Sequence, residues 1–302
     1  MNDRLTEQLE KKGLRARVVR IERLADLKEA IEGPRREGVF EDGFFQVELS
    51  LFKNTMAAPR WARSIIVASV PQPIIGVTFE WEGKKLQTTI PPTYVDVDAI
   101  DRRVIGALEA ALGRDRCRFE PAIKPRKKLA VRSGLADYGR NNITYVPHYG
   151  SFHRLVAFFS DLECAVDAWR EPILLPACKT CRACLKACPG GAITEDRFII
   201  HGERCLTYLN ERVNEPFPSW LDAKAHHAII GCLRCQQACP YNKETLNWIE
   251  QRASFSEEET RYLLRGEFAG SEAKAMEERL ATVGLDLAIF PRNLAVLVSL
   301  AP

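Results

Sequence analysis

Along residues 1–165 the apolar positions switch repeatedly between helical and strand spacing, and neither period persists. Arg4–Lys12 and Ile21–Ile31 each carry apolar residues on one helical face, with Ala16–Ile21 a short β-like stretch between them. Ser64–Val70 is a continuous run of β-branched and small residues, the pattern of a buried strand, and Pro71 ends it. Val77–Trp81 and Leu86–Ile90 flank Glu82-Gly83-Lys84-Lys85 and predict a β-hairpin. Val97–Leu112 places Ile100, Val104, Ile105, Leu108 and Leu112 on one helical face. Lys124–Ser133 predicts another helix, closed at Gly134 by a left-handed cap. Ile143–Val146 and Phe152–Phe159 follow as further apolar segments. After residue 242 a serine, Ser256, stands before a run of acids, as at a helix start, and Leu294–Leu300 is apolar. The tail therefore reads as helical and packed back onto the protein.

Composition adds little to this picture. The 302 residues fit about two domains, and 46% hydrophobic with 27% charged residues is an ordinary globular balance. A net charge of +3 is too small to argue for nucleic acid from charge alone. The polar start, Met1-Asn2-Asp3-Arg4, is no secretory signal, and no apolar run approaches the ~18–20 residues of a membrane span.

The cysteines change the picture. Eight of the ten lie between Cys178 and Cys239. Cys178-x-x-Cys181-x-x-Cys184-x-x-x-Cys188-Pro189 has the spacing of bacterial two-cluster ferredoxins. Cys205 followed by Cys232-x-x-Cys235-x-x-x-Cys239-Pro240 is the same motif with its first cysteine displaced upstream by an insertion. Thiolates are soft, strongly donating ligands, and a cubane needs four. In such pairs the cysteine before the proline crosses over, which groups Cys178, Cys181, Cys184 and Cys239 on one [4Fe–4S] cluster and Cys188, Cys205, Cys232 and Cys235 on the other. Zinc is the rival ligand, but structural zinc motifs pair two Cys-x-x-Cys knuckles without a third cysteine at the next step. Disulfides need an oxidising compartment to which nothing routes this chain, and oxygen-sensitive clusters point to the cytoplasm. Cys117 and Cys164 fall outside the pattern and read as small core residues.

A two-cluster module moves electrons and makes no bonds, and more than half of this chain lies outside it. The N-terminal part is thus expected to hold the electron acceptor. It has neither a Gly-x-Gly-x-x-Gly fingerprint nor a phosphate-cradling loop ending in Gly-Lys-Ser/Thr. Its most distinctive stretch is Leu129–Ile143, LAVRSGLADYGRNNI, followed by Tyr149-Gly150-Ser151-Phe152. Its glycines and the amides of Asn141 and Asn142 suit close polar recognition, or equally a tight turn between core elements. The five histidines form no recognisable metal set. The basic run Lys124, Arg126, Lys127, Lys128 and Arg132 suits either a phosphate or a solvated helix face.

The succession of LAVRSGL, YGRNN and YGSF, the first cysteine run, Cys205-Leu-Thr-Tyr-Leu-Asn-Glu211 and Gly231-Cys-Leu-Arg-Cys-Gln-Gln-Ala-Cys-Pro240 resembles the epoxyqueuosine reductase family over roughly residues 60–245. Ala62–Val67 matches its early strand as well. The resemblance implies an α+β protein: a nitroreductase-like cobalamin-binding domain over 1–165, a double [4Fe–4S] ferredoxin-like module over 166–245 and a helical extension over 246–302. It implies two [4Fe–4S] clusters that reduce base-off cobalamin, and a corrinoid that reduces an electrophile, either epoxyqueuosine in tRNA or a small molecule. Related cobalamin iron–sulfur proteins dehalogenate, so architecture does not fix the substrate. The family's proposed proton donor, ten residues before the alanine of LAV, falls on Glu120, with Lys124 as an alternative acid. Its corrin-lining segments match Thr144, Leu155, Thr207 and Tyr208. A low-potential donor such as ferredoxin or flavodoxin is the implied electron source. Two other functions stay open: a non-catalytic electron-transfer protein, and a reductive activase serving a separate corrinoid enzyme.

Overall fold

The computed structural model describes residues 2–50, 52, 57–113, 117–122 and 125–301. The chain divides into two compact units that are not consecutive in sequence: Met1–Pro71, Asp98–Arg182 and Arg197–Ile199 form the first, while Gln72–Val97, Ala183–Asp196 and Ile200–Pro302 form the second.

The first unit is built on an antiparallel sheet in the order β1 (Arg15–Arg20), β2 (Ser64–Pro71), β8 (His153–Ser160), β5 (Phe119–Pro121). Strand alternation sends Ile65 and Val67 to one face and Ile66, Ala68 and Val70 to the other, and each set joins a separate core. Both faces are covered, which is why the Ser64–Val70 run lacks polar alternation. Helices α2 (Leu24–Arg36) and α4 (Arg126–Arg132) contribute Leu27, Leu129, Ala130 and Val131 to one core. Helices α1 (Asn2–Glu10) and α3 (Val97–Leu112) contribute Leu5, Leu9, Ile100, Val104 and Leu108 to the other. Ile21–Arg23, expected to open a helix, is a 3₁₀ turn ahead of α2. Helix α4 closes as expected: Leu135 N–H returns to the Ala130 carbonyl, Gly134 N–H to that of Val131, and Gly134 has φ 73°. Lys124 lies outside the described residues, and the helix itself begins at Arg126 after Pro125. Cys117 and Cys164 pack half-buried against the second of these cores.

The Gly139–Ile143 stretch is a tight turn joining β6 (Asp137–Tyr138) to β7 (Thr144–Tyr145). Gly139 N–H bonds the Ile143 carbonyl, Asn142 sits at φ 57°, and a side chain on Gly139 would collide with the Tyr145 ring. The Asn141 amide donates to the Tyr145 hydroxyl at 3.0 Å.

The second unit contains the predicted hairpin, β3 (Ile74–Trp81) and β4 (Lys84–Ile90), joined by Glu82 at φ 50° and Gly83 at φ 73°. Two consecutive positive φ values match a two-residue turn to the twist of the strands, so Lys84 and Lys85 are in strand, not turn. The tail departs from the all-helical expectation. Ile249–Phe255 is β9, which pairs parallel with β3 across a bulge at Gly76/Val77, where the Gln251 side chain lies on Gly76 in place of any Cβ. Helices α8 (Glu257–Arg265), α9 (Gly270–Ala281) and α10 (Phe290–Ser299) follow. Ser256 caps α8 with a reciprocal capping box to Glu259. One core unites hairpin and tail: Phe79 stacks on Phe255 at 5.1 Å, and Phe290 meets Phe79 edge-on at 6.0 Å. Ile229 and Ile230, next to the second cysteine group, join it too, so that segment is not held by metal ligation alone.

Candidate functional site

The second unit brings several of the predicted ligands together. Cys188 leads into a glycine turn in which its own sulfur accepts the Ala192 N–H at 3.2 Å. Gly190 is pressed against the backbone of the Cys205 segment; a Cβ there would strike the Arg204 carbonyl oxygen, and Arg204 Nε donates back to the Gly190 carbonyl at 2.9 Å. That approach puts the Cys188 turn beside Cys205, which heads α6 (Leu206–Glu211). Cys232 follows Gly231, at φ 66°, where a side chain would stand 2.9 Å from the ring and hydroxyl of Tyr94. Helix α7 (Arg234–Gln237), carrying Cys235, packs on α5 (Ala183–Ala187), carrying Cys184. Asn242, wholly buried, ties the Cys239-Pro240 turn to the Gln236 carbonyl at 2.8 Å.

Electrostatics report the same gathering. Burial pushes the Cys232 thiol up to about 12, against the Arg234 amide, and the Cys205 and Cys188 thiols add to the rise. Burial likewise raises Cys205; hydrogen bonding from Thr207 and the Tyr208 amide opposes it, and Cys188 reinforces it. Burial of this kind disfavours a bare thiolate, and a bound cation would supply the compensating charge. None of the ten cysteines is in a disulfide. Among the described residues no His, Cys, Asp or Glu group is drawn tightly enough to share one ion; a cubane does not require it, because its four thiolates bind different irons.

In the first unit, Cys178 is buried, its amide on the Leu175 carbonyl and its own carbonyl accepting from Arg140 at 2.5 Å. The Cys181 amide bonds the Ala177 carbonyl. Glu120 lies on β5 with its side chain 49% exposed and Arg118 at 3.9 Å. Thr144 is buried with its hydroxyl 3.0 Å from His153 Nε2, and burial holds His153 down at about 4. Leu155 is packed in the core beside α4. Thr207 and Tyr208, in the second unit, face Cys205, and the Tyr208 ring lies 5.2 Å beneath the Arg212 guanidinium. Thr144 and Leu155 are committed to the fold and Thr207 to a cysteine, so these residues fit a corrin poorly as side-chain donors.

Sequence reading missed Tyr94, Glu211, Arg292 and Asn293. Tyr94 donates to the Glu211 carboxylate. The Asn293 amide donates at 2.9 Å to the carbonyls of both Asn210 and Ile229, and Arg292 donates to those of Leu209, Asn210, Arg212 and Glu215 while stacking on Phe217 at 3.9 Å. The residue closing α6 was one signal: an acid, Glu211, at a helix C-terminus works against the helix dipole.

Residues 177–242 match a family model described as a 4Fe-4S double cluster binding domain. The epoxyqueuosine reductase of Cyclobacterium marinum is 33% identical over 117 residues, 39% of this chain and 36% of that protein. That of Escherichia coli is 32% identical over 117 residues, 39% of this chain and 30% of that protein. The matched stretch is thus about a third of each relative's length. In fold, the Bacillus subtilis epoxyqueuosine reductase superposes with a TM-score of 0.69 at 19% identity, covering 98% of this chain and 80% of that one. An epoxyqueuosine reductase solved with an epoxyqueuosine-modified tRNA-Tyr stem loop gives the same score, identity and coverage. Over 117 residues the chain is thus similar in sequence to epoxyqueuosine reductases, and it shares their fold.

Proposed function

We propose that this protein is an iron–sulfur oxidoreductase of the epoxyqueuosine reductase type, in which Cys178, Cys181, Cys184, Cys188, Cys205, Cys232, Cys235 and Cys239 hold two [4Fe–4S] clusters. The observation that supports the reading is the gathering of Cys188, Cys205 and Cys232, each partly buried, within a matched double-cluster segment. Backbone amides reach the sulfurs of Cys188, Cys205 and Cys232, and hydrogen bonds to the sulfurs are one of the terms that set a cluster's reduction potential. A low-potential donor of the ferredoxin or flavodoxin class supplies the electrons, and the substrate is an electrophile. Epoxyqueuosine in tRNA leads, supported by the relative solved with a modified stem loop.

Cobalamin belongs to this reading as the group that would supply two-electron reduction of the substrate. The Thr144 hydroxyl is engaged by His153, Leu155 by the core and Thr207 by Cys205, so a corrin would have to be held largely by other groups. Glu120, on β5 with its carboxyl 49% exposed and so open to a bound substrate, is proposed as the proton donor. Glu120→Gln then lowers turnover with iron content unchanged; unaltered turnover removes it from the mechanism.

Anaerobic reconstitution tests the whole. About eight irons and eight sulfides per chain are expected, and added hydroxocobalamin, once reduced, should give a base-off cob(II)alamin spectrum. Zinc in place of iron refutes the cluster assignment. Full iron with no bound corrinoid favours the alternative, an electron-transfer protein or an activase serving a partner.

A further inference from the structure

We propose that His227 is a positioning residue for the cluster of Cys205 and Cys232: its imidazole holds the peptide after Cys232 and so aims that sulfur at iron. This rests on the cluster reading above. The requirement comes from the short helix α7, which begins at Arg234 and leaves Leu233 at its N-cap. The Leu233 carbonyl accepts from the Gln236 and Gln237 amides, but its own amide has no acceptor within the helix. Leu233 is wholly buried, and a buried amide must find a partner. His227, five residues before Cys232 and outside the cysteine motif, supplies it: Nε2 accepts the Leu233 N–H at 3.1 Å. Its Nδ1 lies 3.1 Å from the Ala225 carbonyl oxygen. An amide N–H can only donate and a carbonyl can only accept, so one form of the ring satisfies both, the neutral tautomer with its proton on Nδ1.

The backbone of His227 is fixed in turn by the β3–β4 hairpin. The Thr88 hydroxyl donates to the His227 carbonyl at 3.2 Å, and the Ile229 N–H to that of Thr89 at 3.3 Å. The consequence falls on the sulfur. The Leu233 N–H and the Cys232 carbonyl belong to one planar peptide, so the imidazole sets the plane on one side of the Cys232 Cα. On the other side stands Gly231, at φ 66°, where a side chain would collide with Tyr94. With both flanks set, the Arg234 amide reaches the Cys232 sulfur. Two successive amides are thus divided, that of Leu233 to the ring and that of Arg234 to the ligand. With both nitrogens engaged, His227 has none left for iron and acts through the backbone.

The test compares the anaerobic holoprotein with His227→Gln and His227→Leu, and uses a Cys181→Ser background to identify the second cluster's EPR signal. Glutamine can offer Oε1 close to the place of Nε2, whereas leucine offers no acceptor. Iron release to a chelator from the second cluster should be roughly tenfold faster, or more, in His227→Leu. In His227→Gln it should stay within about threefold of wild type. The second cluster's EPR signal should change shape in His227→Leu and keep its wild-type shape in His227→Gln, while the other cluster's signal stays unchanged in both. A leucine variant that matches wild type in release and signal overturns the proposal, as does a glutamine variant no better than leucine. Should His227→Leu fail to fold, the wild-type ring decides. Nitrogen-15 NMR of histidine-labelled holoprotein at neutral pH should show His227 protonated on Nδ1 alone, and a proton on Nε2 overturns the proposal. Wild-type protein without two cubanes is a failure of the cluster reading itself, visible before any variant is made.

Discussion

Asn293→Ala tests whether the C-terminal helix is part of the second cluster's frame. The Asn293 side chain is almost wholly buried, at 1% exposure, and reaches two segments that each lead to a ligand. Its amide donates at 2.9 Å to the Asn210 carbonyl, on the helix headed by Cys205, and at 2.9 Å to the Ile229 carbonyl, three residues before Cys232. Each such bond contributes about 1 kcal/mol net, and a buried carbonyl stripped of its donor costs about 1–3 kcal/mol. Asn210 keeps Arg292 at 3.1 Å, so the larger loss falls at Ile229. Together these give ~3 kcal/mol, or roughly a 150-fold rise in the open fraction of the frame. Iron release to a chelator under anaerobic conditions reads that fraction when reclosing is fast. About half the iron should leave on this faster phase. Asn293→Asp, similar in shape but presenting oxygen to two carbonyls, should release it at least as fast. Release within threefold of wild type in both variants would refute the reasoning.

Gly190→Ala forces a side chain into the Arg204 carbonyl, a backbone atom that cannot yield without moving Cys205; iron should fall from about eight toward four per chain, measured by colorimetric assay. Cys181→Ser should remove one cluster's EPR signal and leave the other's. His153, His226 and His227 are each held near 4 by burial, below the ordinary histidine value of about 6.5. The unfolded chain therefore takes up protons first, so stability is complete above pH ~6.5 and falls as pH drops toward 4, by at most ~1.4 kcal/mol per unit for each histidine. His153→Gln should flatten the loss of urea stability between pH 7 and 5, and an unchanged profile would show that His153 is not the buried neutral group described.

Much of the first unit was legible because its elements are decided locally. The unbroken Ser64–Val70 run, the helical spacing of Val97–Leu112 and the Gly134 cap each follow from residues within one or two turns. The β9 strand was not legible. Residues 249–255 show five exposed or half-exposed positions before Ser254 and lack the clean alternation of a half-buried strand. They are extended because β3 offers them a parallel edge and Gly76 admits the Gln251 side chain, conditions set some 175 residues away. The two compact units interleave along the sequence for a related reason. Nothing in the hairpin's own alternation says that Phe79 will stack on Phe255.

The same distinction governs the candidate site. Cysteine spacing is a local signal, because Cys178, Cys181 and Cys184, and again Cys232 and Cys235, follow one another within a few residues, and it exposed all eight candidate ligands. What surrounds the sulfurs is non-local. Tyr94 arrives with the hairpin segment, Arg292 and Asn293 with the last helix, and each touches the backbone between ligands and not the ligands' own sequence motif. Such residues carry no signature beyond their ordinary identities. Glu211 is the exception, since an acid closing a short helix contradicts a rule that a reader can apply to the sequence alone. Broken local rules beside a strong motif are therefore places where a bare sequence points to a contact from elsewhere in the chain, and here the rule leads through Glu211 to Tyr94.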